Sequence, residues 1–261
     1  MTETVAPGDA QAALERDGWV LLPQLVDGPF LARLVDDLER AYSAQRAIQI
    51  RNQVAAGTDG TVHHLPLSGG SFLEFLERGY ATDLLAAFFR GPHILNTYGG
   101  VLNQPSNLSY VGGVHRDLRT FSGDVPLMAQ LLVMLDDFTE ANGATYLLSG
   151  SQRRADKPSD EEFFGCANRA VGAAGSVVVF NSNLWHAAGA NTTSAARRAL
   201  TIAFTKPFMK QQLDYPRALG YERDEFSPVL RQLLGYNARV PASLDDWYQP
   251  PEKRLYRRDQ G

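Results

Sequence analysis

Between Pro92 and Phe208 the chain breaks into short β-type runs separated by turn residues, and this stretch limits the possible folds more than any other. The runs are "HILNTYGGVLNQ", "PLMAQLLVMLDDF", "GATYLLSG", "GSVVVFN" and "ALTIAFTKPF". Several short strands at this spacing predict a sandwich or barrel of sheets rather than a parallel α/β sheet. "EANGATYL" carries an Asn-Gly pair of the type that turns a chain between antiparallel strands.

The flanks are helical. "DAQAALERDG" predicts a short helix closed by Gly18, and "WVLLPQLV" a strand. "GPFLARLVDDLERAYSAQ" predicts an amphipathic helix with Phe30, Leu31, Leu34, Leu38 and Tyr42 on its core face. Val54 to Gly70 is rich in glycine and small polar residues without a sustained period and predicts a mobile loop. Helices are expected around Ser71–Leu76 and Ala81–Phe89, and after Pro207 "PVLRQLLGY" predicts an amphipathic helix ahead of a loose basic tail. The expectation is one domain over 1–261, with helical support over 8–90, a β core over 92–208 and a helical extension over 209–261.

Composition removes several function classes. A net charge of −4 offers no broad basic field for nucleic acid or anionic lipid, so neither is an expected partner. One cysteine, Cys166, excludes an intramolecular disulfide and a cysteine-based metal cluster, which fits a cytoplasmic location. "MTETVAPGDAQ" lacks the basic start and apolar stretch of a signal peptide, and no run approaches a membrane span. The expected partner is a small-molecule substrate, and the expected state a monomer or homodimer.

Any imidazole-based metal site must draw on five histidines: His63, His64, His93, His115 and His186. His63 and His64 are neighbours, so in an extended chain they point to opposite sides, and a solvated loop pair is their plainer reading. His93, after Gly-Pro at a strand start, reads as structural. His115 and Asp117 in "YVGGVHRDLRT" differ, because residues i and i+2 share one face of an extended segment and can converge on one ion. His186 supplies a second imidazole in "GSVVVFNSNLWHAAGANTT". Two imidazoles and a carboxylate are the donor set of a non-haem iron(II) facial triad, and zinc in a hydrolase could use the same set. An oxygenase using a 2-oxo acid must also hold that acid's far carboxylate, which arginine does with a bidentate charged pair. Arg197 stands eleven residues after His186, and a hairpin between them would return it to the metal. Residue chemistry alone leaves iron and zinc both open.

Five segments in order resemble the phytanoyl-CoA dioxygenase-like family of iron(II)/2-oxoglutarate oxygenases, from about Glu15 to Phe208: "ERDGWVLLPQLVD", "HRD", "NGATYLLSGSQ", "GSVVVFNSNLWHAAGANTT" and "RRAL". The resemblance implies a mainly β fold with flanking helices around a double-stranded β-helix core of the jelly-roll or cupin type. It implies iron(II) held by His115, Asp117 and His186, with 2-oxoglutarate and dioxygen as cosubstrates and Arg197 gripping the oxoglutarate C5 carboxylate. Asn103 aligns with a polar oxoglutarate contact in relatives, and Gln130 is a polar residue within an apolar strand; for both, a hydrogen bond to neighbouring backbone is the plainer role. Arg198 should point away from Arg197 as a surface charge. Arg119, on the same side as Asp117, is a candidate contact for an anionic or hydroxylated substrate, against a structural salt bridge. Ser149, Gln152 and Ala188 depart from the family's turn proline, turn histidine and oxoglutarate-binding serine. Asp117 favours hydroxylation or another oxidative outcome over halogenation, because related halogenases have a small residue at that position, and the glycine-rich, polar Val54–Gly70 stretch points to a small polar metabolite as substrate. Desaturation, cyclisation or epimerisation by the same chemistry, and a cupin-type binding protein without oxygen chemistry, remain the alternatives.

Overall fold

The computed structural model describes residues 6–105 and 112–255. Tyr110 and Val111 ahead of the double glycine, the first five residues and the last six of the basic tail lie outside the described residues.

In chain order the elements are α1 (Pro7–Asp17), β1 (Trp19–Leu22), α2 (Gly28–Arg51), β2 (Thr61–Val62), α3 (Ser71–Arg78), α4 (Thr82–Phe89), β3 (Ile94–Asn103), β4 (Met128–Met134), β5 (Tyr146–Leu147), α5 (Asp160–Cys166), β6 (Asn168–Arg169), β7 (Val177–Asn181), β8 (His186–Ala187), β9 (Arg197–Thr205), α6 (Tyr215–Leu219), α7 (Pro228–Leu233) and α8 (Leu244–Trp247). The strands form two antiparallel sheets, one of six strands in the order β1-β7-β4-β9-β3-β2 and one of three in the order β6-β5-β8.

The helices follow from local signals. Gly18 closes α1 with φ 81°, a conformation glycine adopts without strain. Asp27 caps α2 by accepting from Phe30 N–H at 3.0 Å. Below it Phe30, Leu34, Leu38 and Ala41 turn inward. That face packs on the large sheet with α3, α4 and the C-terminal helices, forming the main core.

Strand alternation separates this core from the site. On β4, Ala129, Leu131 and Val133 join the helix-side core, while Met128, Gln130 and Leu132 face a cavity. On β9, Leu200, Ile202 and Phe204 join the helix-side core, while Arg197, Ala199 and Thr201 face the cavity. All seven residues of β4 are buried because the strand is covered on both faces.

Three local expectations need correction. Residues 54–70 are not a structureless loop: Thr61–Val62 pairs with Gly100 and Val101 of β3, a 3-10 turn spans Leu65–Ser68, and Leu65 and Pro66 are buried. The Asn142-Gly143 turn does not join hydrogen-bonded partners, because β4 lies in the large sheet and β5 in the small one. For the same reason His186 and Arg197 are not joined by a hairpin: β8 belongs to the small sheet, β9 to the large, and the chain between them crosses from one to the other. Among the described residues, no helix is long and apolar enough to cross a membrane.

Candidate metal centre and cosubstrate pocket

A cavity of about 490 Å³ lies between the sheets and receives His115, Asp117 and His186 together with Gln130, Arg119, Ala188 and Arg197. Its size is typical of small-molecule sites.

The geometry of the candidate ligands begins with one backbone pairing. His115 N–H donates to His186 O at 3.0 Å, and His186 N–H returns the bond to His115 O at 2.9 Å. Residues paired in this way project their side chains to the same face, and the two imidazole centroids lie 4.3 Å apart. Asp117, two residues on, brings its carboxylate to the same place. Oδ1 is 3.7 Å from His115 Nε2, and Oδ2 is 3.5 Å from His186 Nε2. Each residue offers a donor atom, and all three lie within 4.8 Å of one another.

Both tautomers are fixed by carbonyl oxygens, which can only accept. His115 Nδ1 donates to Gly113 O at 2.7 Å and His186 Nδ1 to Leu184 O at 3.0 Å. The Nε2 lone pairs are therefore free and face Asp117, as metal ligation requires. Burial lowers the His186 pKa despite the opposing pull of Asp117, so its imidazole stays neutral. Gln130 Nε2 donates to Asp117 Oδ2 at 2.6 Å and orients the carboxylate from β4. Gln130 is thus a support for the ligand set.

Arg197 enters the cavity from the first residue of β9, 3% exposed. Its guanidinium lies over the Phe138 ring at 4.0 Å and donates from Nη2 to Gly143 O at 3.3 Å. Its Nε has no partner among the described residues. Burial draws its pKa down to about 10, with Arg169 adding to the fall and Asp136 opposing it, and the group remains charged at neutral pH. A buried cation with one long hydrogen bond and an orphaned N–H is incomplete until an anion meets it.

The Asn-Gly turn builds this corner. Gly143 has φ 82°, and a Cβ there would lie 2.3 Å from Gly189 O and 2.6 Å from Asn103 Nδ2, so only glycine fits. Asn103 pairs with Arg197 across β3 and β9 and donates from Nδ2 to Gly189 O at 3.0 Å, so its amide braces the corner while Arg197 enters the cavity. Arg198 points away, as expected, onto Asp136 and Glu39. Ser149 accepts from Trp19 Nε1 at 2.8 Å, which ties this turn to β1.

His63 is exposed, as a solvated pair would be, but it also lies on the cavity wall. β2 pairs antiparallel with β3 and passes close to Gly99, which lacks a side chain, and this brings His63 to the cavity while His64 turns to Tyr215 Oη at 3.1 Å. The β-branched pair Thr61-Val62 was the signal for the strand that carries it. His93 is structural, stacked on Phe89 with its centroid 5.2 Å away.

A two-sheet protein with a His-Asp-His donor cluster and a buried arginine in one cavity defines a metal-dependent enzyme class. Residues 14–199 match the family described as Phytanoyl-CoA dioxygenase (PhyH). The uncharacterized protein Rv1501 of Mycobacterium tuberculosis is 35% identical over 262 residues, covering 96% of this chain and 94% of its own. The chain belongs to the phytanoyl-CoA dioxygenase family. Among solved structures, AviO1 from Streptomyces viridochromogenes Tue57 superposes with TM-score 0.61 at 24% identity, covering 79% of this chain and 98% of its own. The epimerase SnoN, solved with Fe3+, alpha ketoglutarate and nogalamycin RO, superposes with TM-score 0.59 at 18% identity over 76% of this chain and 82% of its own. At these identities both show a shared fold.

Proposed function

We propose that the protein is an iron(II)- and 2-oxoglutarate-dependent dioxygenase that hydroxylates an unactivated C–H bond of a small polar metabolite and releases succinate and carbon dioxide. The observation that carries the reading is the placement of two imidazole Nε2 atoms and a carboxylate in the same cavity as an incompletely paired, buried Arg197. Zinc hydrolysis needs the first three groups and has no use for the fourth.

The donor set fits iron(II): two imidazoles and one carboxylate from a facial arrangement leave positions for a chelating 2-oxo acid and dioxygen. Iron, oxoglutarate and dioxygen together supply the oxidising power for C–H cleavage. The protein's own tasks are positional. His115 and His186 hold their Nε2 lone pairs toward the ion through the carbonyls of Gly113 and Leu184, and Gln130 holds Asp117. Arg197 would accept the C5 carboxylate, replacing its missing hydrogen bonds with a charge-assisted pair. Ala188 at the cavity wall offers no hydroxyl, which leaves more of that task to Arg197. We read the two sheets as the halves of a double-stranded β-helix, with the ligands on the face between them.

Incubation with iron(II), oxoglutarate and dioxygen should release succinate, and candidate metabolites should accelerate it with a mass gain of one oxygen. His115→Ala should abolish both. Silence with every candidate, together with a His115→Ala variant that binds ligands as the parent does, would falsify the oxygenase reading and favour a binding protein. Mass loss of two hydrogens, or an unchanged mass with inverted stereochemistry, would move the outcome to desaturation or cyclisation, or to epimerisation. The fold shared with an epimerase makes the last of these the reading to test second.

A further inference from the structure

The cavity has two distinct ends. β9 runs from Arg197 to Thr205, and Thr205 pairs with Met128 at the far end of β4. Beyond His115, the chain heads for that far end. Leu118 N–H donates to Ser182 O at 3.1 Å, and Ser182 N–H donates to Met128 O at 3.1 Å. The segment carrying Asp117 and Arg119 thus leads away from Arg197, by up to the length of β9, roughly 27 Å at about 3.4 Å per residue. A five-carbon diacid held by Arg197 does not extend to Arg119.

Other polar groups gather on the Arg119 side. Thr97 sits opposite Ala203, near the end of β9, and Gln212 is anchored there by its N–H to Asn96 O at 3.1 Å. His63 lies between the two ends, beside Gly99, which pairs with Thr201 at the middle of β9; its Nδ1 is 3.8 Å from where a Cβ would stand. All four residues line the cavity. The side chains of Thr97, Gln212 and Arg119 and the ring nitrogens of His63 make no hydrogen bond or ion pair among the described residues. The neighbouring charges, by contrast, are committed. Arg116 bonds the carbonyls of Arg154 and Ala155 and lies over the Trp185 ring at 4.4 Å. Asp117, the one acid among the described lining residues, belongs to the ligand cluster.

An uncommitted cation beside neutral hydrogen-bonding groups, with no free carboxylate, selects for negative charge. We propose that the substrate carries an anionic group, a carboxylate or a phosphate, which Arg119 binds at the end of the cavity remote from Arg197, while His63, Thr97 and Gln212 meet its polar portion. Its role as substrate rests on the oxygenase reading above; the anion site itself does not. The arrangement orients the molecule, since the bound anion fixes which carbon lies over His115, Asp117 and His186.

The test is calorimetric and needs no turnover. The full chain, with and without manganese(II) and oxoglutarate, is titrated with matched pairs: small carboxylates against their primary amides, and phosphate monoesters against their parent alcohols. The anionic member of one pair type should bind at least about 10-fold tighter, and the discriminating pair identifies carboxylate or phosphate. Arg119→Gln should bring that ratio close to one, and Arg119→Lys should keep part of it. Thermal unfolding checks that both variants fold. Equal binding within every pair, no binding of any anionic member, or an unchanged ratio in Arg119→Gln would overturn the proposal. Succinate release with iron(II) is measured separately: anion discrimination without succinate would remove the oxygen chemistry and leave the anion site standing.

Discussion

Gln130 Nε2 donates to Asp117 Oδ2 at 2.6 Å, so the carboxylate of the ligand cluster is aimed from a strand of the large sheet. Gln130→Leu keeps a side chain of similar size and removes the donor. Outer hydrogen bonds of this type typically contribute about 10- to 100-fold to metal affinity. Iron(II) or manganese(II) titration of the variant should show a loss in that range, with secondary structure retained by circular dichroism.

Arg197→Ala should weaken oxoglutarate binding while sparing the metal. Loss of a buried charge-assisted pair is worth about 3 kcal/mol, or roughly 100-fold in Kd. Calorimetry of metal and of oxoglutarate binding separates the two effects. Equal loss of both would mean that the arginine supports the corner around Gly143 and Phe138 rather than the cosubstrate.

His93 gives a pH dependence of stability. Burial beside Phe89 and Phe204 lowers its pKa to about 4, against 6.5 in the unfolded chain. Below pH 6.5 the unfolded chain takes up a proton that the native ring refuses, so stability falls with pH until about 4. From pH 7 to pH 5 this is as much as about 2 kcal/mol. His93→Phe should flatten that part of the profile in urea unfolding compared with the parent at each pH.

Gly99→Ala tests how β2 reaches the site. The added Cβ would stand 2.8 Å from Val62 O, so β2 must lift. Overpacking of this type costs about 1–3 kcal/mol. The melting temperature should fall, and binding of the anionic compounds should weaken as His63 is displaced from the cavity wall.

The convergence of the candidate ligands was legible because their geometry is local. The i, i+2 spacing of His115 and Asp117 survives in any extended segment, and His186 needed only to pair with His115. Gly18 and the Phe30–Leu38 face likewise act within a turn or two of helix. His63 was not legible, since its position depends on a strand pairing with Gly100 and Val101, some forty residues away. The hairpin expected between His186 and Arg197 failed for a related reason: sequence spacing shows that two strands are close in the chain, but not which sheet each one joins. Asn103 showed the right neighbourhood, beside Arg197, while its amide serves the carbonyl of Gly189.

The chain between β8 and β9 crosses from the small sheet to the large one. His186 and Arg197 therefore ride on separate sheets, and the span between the candidate ligand cluster and the arginine is set by how tightly the two layers are pressed together. The second hydrophobic cluster, with Phe138, Leu147 and Leu184, acts as the spacer of that gauge. A methylene added or removed there would shift Phe138 under the Arg197 guanidinium, and on the proposed reading it would change which length of 2-oxo acid can be seated.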